Sequence, residues 1–408
     1  MQVLYERCAG LDVHKDTVVA GVRKVEDGKA LSEVRTFSTL TKGLLELSDW
    51  LTAEGVTHAG MESTGVYWKP VWHVLEGNFE LVLANAGHVR NVPGRKSDVS
   101  DAVWLSELLA HGLIKASFVP PGNVQEARDL TRTRKQLVRE SGQHVQRVQK
   151  VLEDANIKLG SVVSNVFGTS GRAILKAMIA GERDPYKLAA LANERIRASK
   201  EEIAQSLRGR LAAHHVFLLD LHIRQVEQLE GEIAKIDARV DEVVRPLCEA
   251  AELLETIPGV GSVAAMVIVS EIGIDMSRFP TAGHLVSWAG LCPRMDESAG
   301  KRRSTRLRDG APWLKPVLVQ SAWSAVRKKD GYYGAQFQRL RGRRGAKKAI
   351  IAVAASMLTT VYHMLSRHEE YKDLGAKHFE RRDQGKIAKR LQKRLEGMGY
   401  VVELKTAG

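Results

Sequence analysis

Four carboxylates stand in an order that suggests metal chemistry. Asp12 lies inside the apolar run Ala9-Gly-Leu-Asp-Val-His14, where an acid is costly without a partner or a cation. Glu62 closes Gly60-Met-Glu-Ser63, and Asp98 and Asp101 are spaced three apart, as residues sharing one helical face are. Four carboxylates meeting at one place repel unless cations lie between them. Oxygen-only donors suit Mg²⁺, with Mn²⁺ as an alternative, and such ions keep water and phosphate in their shell. Two ions roughly 4 Å apart would stabilise both the attacking and the leaving oxygen of a phosphoryl transfer. Taken singly, an Asp-x-x-Asp is an ordinary helix start and a Glu at a strand end is ordinarily solvated. The ordered set of four carries the argument.

Hydrophobic patterning places these acids on an α/β segment. Residues 8–13, 17–22 and 32–39 read as strands, with Gly28 in the turn between the last two. Residues 40–54 read as a helix, 58–62 as a strand, 65–75 as a helix, 79–85 as a strand and 98–111 as a helix. Three meandering strands followed by βα units suggest a mixed sheet covered by helices, in the order of the ribonuclease H-like fold by analogy. Pro120-Pro121-Gly122 marks a boundary. Residues 128–159 and 216–244 carry heptad-like seams that suit an antiparallel coiled coil, a candidate dimerisation element. Beyond Leu254 come an apolar helix at 263–272, a Gly- and Arg-rich loop, and helices at 313–328 and 347–367. The tail from Tyr371 has a basic helix around 386–395 and a short strand at 400–404. The expected divisions are 1–120 α/β, 121–250 helical coiled coil, 251–370 mostly helical and 371–408 basic tail.

The net charge of +13 favours a polyanionic partner, nucleic acid above all. Cys8, Cys248 and Cys292 lack metal or redox spacing, so a cytoplasmic chain without disulfides is expected. The N-terminus has no apolar signal region. The longest apolar run, 349–365, reads as a buried helix, so no membrane partner is expected.

Three features suggest phosphate contact. Arg128, Arg132, Lys135 and Arg139 form one helical stripe. Ile257-Pro-Gly-Val-Gly261 resembles a helix–hairpin–helix turn, in which Gly259 and Gly261 let backbone N–H groups meet a phosphate; a tight turn between core helices is the alternative. Between Lys301 and Lys348 lie fifteen Lys/Arg against two Asp, densest at Arg341, Arg343 and Arg344, with Tyr332, Tyr333 and Phe337 placed to stack on unpaired bases.

Gly10-Leu-Asp-Val-His-Lys-Asp16, Met61-Glu-Ser-Thr-Gly65 and Gly94-Arg-Lys-Ser-Asp-Val-Ser-Asp-Ala102 resemble the motifs of the DEDD transposases of bacterial insertion sequences, the family called one-ten. The resemblance resumes at Ile257-Pro-Gly-Val-Gly261, Ser287-Trp-Ala-Gly-Leu-Cys-Pro293 and Glu297-Ser-Ala-Gly-Lys301. It implies a RuvC-like N-terminal domain whose Asp12, Glu62, Asp98 and Asp101 hold Mg²⁺. It also implies a nucleophilic serine in the C-terminal domain, Ser298; Ser304, also among basic residues, is the next candidate, and Lys301, Arg302 and Arg303 are the charges beside Ser298 suited to hold the phosphate. The partners it implies are donor and target DNA, a structured noncoding guide RNA, and further copies of the chain in a homodimer or homotetramer. A Holliday-junction nuclease using water would need the acids but not Ser298. An architectural nucleic-acid-binding protein would need only the basic surfaces.

Overall fold

The computed structural model describes residues 3–26, 29–63, 65–85, 89, 100–114, 116–293, 296–298, 301–304, 306–307 and 310–403. They form two compact units, Met1–Val119 and Pro120–Gly408.

The first unit is a five-stranded mixed sheet between helices. Its strands are β1 (Arg7–Val13), β2 (Thr17–Glu26), β3 (Lys29–Ser38), β4 (His58–Glu62) and β5 (Glu80–Ala84), in the order β3-β2-β1-β4-β5. β1–β2 and β2–β3 are antiparallel, β1–β4 and β4–β5 parallel. Alternation along β1 divides its residues between two faces. Ala9, Leu11 and Val13 pack with Leu44, Leu47 and Leu51 of α1 (Thr41–Ala53) and with Val71 and Leu75 of α2 (Trp68–Leu75). Cys8, Gly10 and Asp12 point to the other face, covered by α3 (Asp101–Ala110).

The helix expected from residue 98 begins three residues later. α3 starts at Asp101, and its N-cap Ser100 is extended, with its side chain accepting a hydrogen bond from the Val103 N–H. Asp98, expected to share a helical face with Asp101, lies outside the described residues.

The second unit is helical apart from a small hairpin. α4 (Gly122–Asp154) and α9 (Ala213–Val244) run antiparallel, tied by Glu126–Arg239 at 2.8 Å, Arg134–Asp237 and His144–His222 at 3.1 Å. The coiled coil thus closes within one chain. α4 ends at Asp154, earlier than the heptads suggest, because Asn156 turns into the left-handed region at φ 56°. Around the tip of this pair, α5 (Leu159–Val162), α6 (Thr169–Ile179), α7 (Pro185–Ala190) and α8 (Lys200–Ser206) bury Ile157, Phe167, Ile174 and Leu175 against Leu152 and Leu219.

Then follow α10 (Cys248–Glu255), α11 (Ser262–Ile272), α12 (Ala282–Trp288), the hairpin β6 (Asp296–Ser298) and β7 (Lys301–Ser304), α13 (Leu314–Ala325), α14 (Tyr332–Arg344), α15 (Ala346–Arg367) and α16 (His378–Glu396). α15 is long and apolar enough to cross a membrane, yet it buries Val353, Ala354, Met357, Leu358 and Val361 inside this unit as a core helix does. The strand expected at 400–404 does not form among the described residues. Gln392 of α16 instead donates to the Val402 carbonyl.

Candidate active site

Strand register brings two of the four acids together. β1 and β4 pair from Cys8↔His58 to Leu11↔Met61, so the next step sets Asp12 level with Glu62 on the adjacent strand. Both belong to the face that carries Gly10 and Gly60, two residues earlier on each strand. Gly10 also pairs with Gly21, so three glycines cross the sheet in one row. That row admits α3. A Cβ on Gly10 would lie 2.1 Å from the Ala102 carbonyl oxygen, and one on Gly21 would lie 3.0 Å from Ala102 C. Asp101, the first residue of α3, is therefore held beside the strands whose next row is Asp12 and Glu62. The Asp12 carboxylate is about one-third exposed and hydrogen-bonds the His14 ring at 3.1 Å, while Asp101 is exposed. Oxygen donors at a partly open sheet end fit a hard divalent ion with phosphate in its shell.

In the second unit, Ser298 lies at the end of β6 rather than in an irregular loop. Its backbone partner is Lys301, and Glu297 pairs with Arg302. Ser304 pairs with Asp296 at the other end of the hairpin. The two candidate serines thus occupy opposite ends, and the exposed Lys301 accompanies Ser298. Arg303 lies between them on β7.

The basic stripe divides. Arg132 makes a two-pronged ion pair with Glu271 of α11, at 2.8 and 2.9 Å. Arg128 donates to the Glu271 carbonyl at 2.5 Å, and its Nε is 3.6 Å from the same carboxylate. Glu271 is 1% exposed, so these two cations neutralise a buried charge. Burial pushes the Arg128 guanidinium down to about 10, against the pull of Glu271. Lys135 stands 5.4 Å from the Trp313 ring centroid, with Arg132 at 5.6 Å, and Arg139 is exposed. A single acid within the apolar Ser262-Val-Ala-Ala-Met-Val-Ile-Val-Ser-Glu271 is the sequence signal for this cluster.

Gly259 has φ 83°, and a Cβ there would stand 2.4 Å from the Ser321 carbonyl oxygen of α13. Its glycine is required by helix packing. Gly261, the N-cap of α11, faces open space. Arg341, Arg343 and Arg344 are all exposed in the last turn of α14. The aromatics expected to stack on bases are engaged within the protein. Tyr333 is buried and donates to Thr360 at 3.1 Å, Phe337 is buried, and Tyr332 stacks on Phe379. Tyr333 and Phe337 thus belong to the core and are closed to bases, and Tyr332 is half-buried.

Asp154, His214 and His215 form a cluster that sequence spacing did not expose, with ligand atoms within 4.8 Å of one another. Hydrogen bonding accounts for its centre. The Ala212 N–H donates to His215 Nδ1 at 3.1 Å, so Nε2 carries the proton and donates to Asp154 at 2.8 Å. Neither His215 nitrogen is left for a metal.

Two family models match separate stretches of the chain. A transposase family model for DEDD enzymes of the IS110 type matches residues 9–157, and one described as the IS116/IS110/IS902 transposase family matches residues 251–339. Together they cover more than half of the chain. The chain is 27% identical over 128 residues to the transposase for insertion sequence element IS1111A of Coxiella burnetii, covering 30% of this chain and 35% of that protein. It is 27% identical over 194 residues to the pilin gene-inverting protein of Moraxella bovis, covering 45% and 58%. It is 31% identical over 143 residues to the insertion element IS110 uncharacterized 43.6 kDa protein of Streptomyces coelicolor, covering 34% and 33%. The matches span between about one-third and three-fifths of these relatives' lengths. The chain belongs to the IS110 family of insertion-sequence transposases.

Proposed function

We propose that this chain is a DNA transposase that cuts and rejoins strands through a serine nucleophile, assisted by Mg²⁺. The observation that supports it most is the level placement of Asp12 and Glu62, with the start of α3 set beside them by the glycine row. Family membership adds the substrate class, and the relative named as a pilin gene-inverting protein favours strand exchange over cleavage alone. The first unit is read as ribonuclease H-like, with Asp12, Glu62, Asp98 and Asp101 as the metal ligands. Bound Mg²⁺ would withdraw charge from the phosphoryl oxygens and favour the serine alkoxide.

The serine step balances without a co-reactant. Ser298 Oγ attacks phosphorus, a Ser–O–P bond forms as one P–O bond of the DNA breaks, and the proton from the serine ends on the leaving deoxyribose hydroxyl. One phosphodiester replaces another, so the reverse attack by a new strand's hydroxyl rejoins DNA. Lys301, Arg302 and Arg303 are assigned to the phosphate. Lys135 and Arg139, Gly261, and Arg341, Arg343 and Arg344 are assigned to nucleic-acid backbone; Arg128, Arg132 and Gly259 support them structurally. Target choice is assigned to a structured guide RNA, the working form to a homodimer or homotetramer, and the location to the cytoplasm.

A trapping experiment tests the reading. Protein, Mg²⁺, element-end DNA and RNA transcribed from the element's flank are combined and resolved on a denaturing gel. A protein–DNA adduct lost in both Ser298→Ala and Asp12→Ala is expected. Cleavage persisting in Ser298→Ala without an adduct would replace the serine with water, and a persisting adduct would move the nucleophile to Ser304.

A further inference from the structure

We infer that the outer edge of β3 is a twofold interface, where a second copy of this chain adds its own β3 antiparallel with Val34 on the axis. β3 is ten residues long, and every residue except Phe37 is exposed. Among the described strands none pairs with its far side, whereas the opposite edge strand, β5, carries the Ala84↔Ala116 bridge at its end. A long exposed edge is a ready template for another strand and is ordinarily blocked by charge or a bulge.

Hydrogen bonding fixes which groups that edge offers. The His14 N–H donates to Thr17, and Val25 N–H donates to Glu6, so the odd-numbered residues of β2 bond to β1. The even-numbered residues of β2 then bond to their β3 partners Leu31, Glu33, Arg35 and Phe37. This leaves the N–H and C=O of Ala30, Ser32, Val34 and Thr36 directed outward. An antiparallel second copy must pair these residues among themselves.

Side-chain chemistry selects one register. With Val34 opposite Val34, Ser32 faces Thr36, Leu31 faces Phe37, and Glu33 of each copy faces Arg35 of the other. Glu33 and Arg35 already lie 2.8 Å apart within one strand, at 44% and 52% exposure. In this register the two pairs merge into one alternating four-charge network. Val34 and Leu31, at 45% and 51% exposure, gain apolar neighbours. A shift by two residues sets Glu33 against Glu33 in one direction and Arg35 against Arg35 in the other. The charges that shield this edge from other strands therefore complement the edge of a second copy.

The interface would create one ten-stranded sheet. Val34 is level with Gly21, Gly10 and Gly60, so it lies on the α3 face. Both copies would present their Asp12–Glu62 rows on that same face. Five strand spacings separate the two β1 strands, about 24 Å at ~4.8 Å each. That consequence for paired acids rests on the proposed metal reading, but the interface does not.

The test needs no DNA, so its failure and that of the transposase reading are separable. Sedimentation of the full chain at tens of micromolar should give a dimer or an even multiple. Val34→Lys, which sets two cations face to face, should halve that mass with unchanged circular dichroism. With Cys248 and Cys292 changed to Ser, Val34→Cys should cross-link to itself on oxidation, because directly paired positions fall within disulfide reach. Ser32→Cys and Thr36→Cys should each stay uncoupled alone and cross-link when mixed. A monomeric wild type, an unchanged mass in Val34→Lys, or cross-links that ignore this pairing would overturn the proposal.

Discussion

A Cβ at Gly10 would stand 2.1 Å from the carbonyl oxygen of Ala102, which makes this glycine the point where α3 meets the sheet. The contact is backbone against backbone, so no side-chain rotation relieves it. It also joins strand β1, which carries Asp12, to the helix that begins with Asp101.

Gly10→Ala should therefore destabilise the first unit by roughly 3 kcal/mol or more, as overpacking at a rigid contact does. Gly60→Ala makes its nearest new contact with Leu109 Cδ2 at 3.4 Å, an ordinary separation. It should shift the urea midpoint little. Equal losses in the two variants would show that the glycine row does not set the approach of α3.

Glu271→Gln keeps the volume of the side chain and removes its charge. It removes the buried carboxylate that faces Arg128, 11% exposed, and Arg132. Breaking a buried pair in this way costs roughly 3–5 kcal/mol. Arg239→Ala, which breaks exposed pairs to Glu126 and Glu242, should leave the melting temperature unchanged. Thermal unfolding of the two variants compares them directly.

Burial pushes the Cys8 thiol up to about 11 from 9.0, partly opposed by Arg23. The folded value lies above the unfolded one, so this stabilisation is complete below pH 9 and is lost as pH rises towards 11. At about 1.4 kcal/mol per unit, up to roughly 3 kcal/mol is involved. Cys8→Ala should flatten the fall in stability across that window. A thiol reagent at pH 8 should label the half-buried Cys248 and Cys292 and spare Cys8.

Replacing Arg341, Arg343 and Arg344 together by Ala should weaken nucleic-acid binding and leave folding intact, since all three are exposed. If each meets a duplex phosphate, the salt dependence of log K should fall by about 0.9 per charge removed. Filter-binding titrations at several salt concentrations read this slope. An unchanged slope would remove this cluster from the interface.

Local pattern was sufficient for much of this molecule. A short apolar run marked β1, alternation marked β2 and the exposed β3, heptads marked the two long helices, and the ordered motifs around Asp12, Glu62 and Asp101 identified the family. These signals are legible because residues two, three or four apart already share a face. Tertiary structure decided what depends on distant chain segments. Register between β1 and β4, fifty residues apart, set Asp12 beside Glu62. The backbone approach of α3 explained Gly10 and Gly21, whose missing side chains carry no periodic signal. Arg128 and Arg132 formed a correct helical stripe, but only the packing of α11 revealed Glu271 beneath it. Tyr333 and Phe337 sat beside a basic cluster in sequence and turned inward in space, because burying an aromatic ring outweighs leaving it in water. A charge or ring declares its type in the sequence, but its role depends on which distant group meets it.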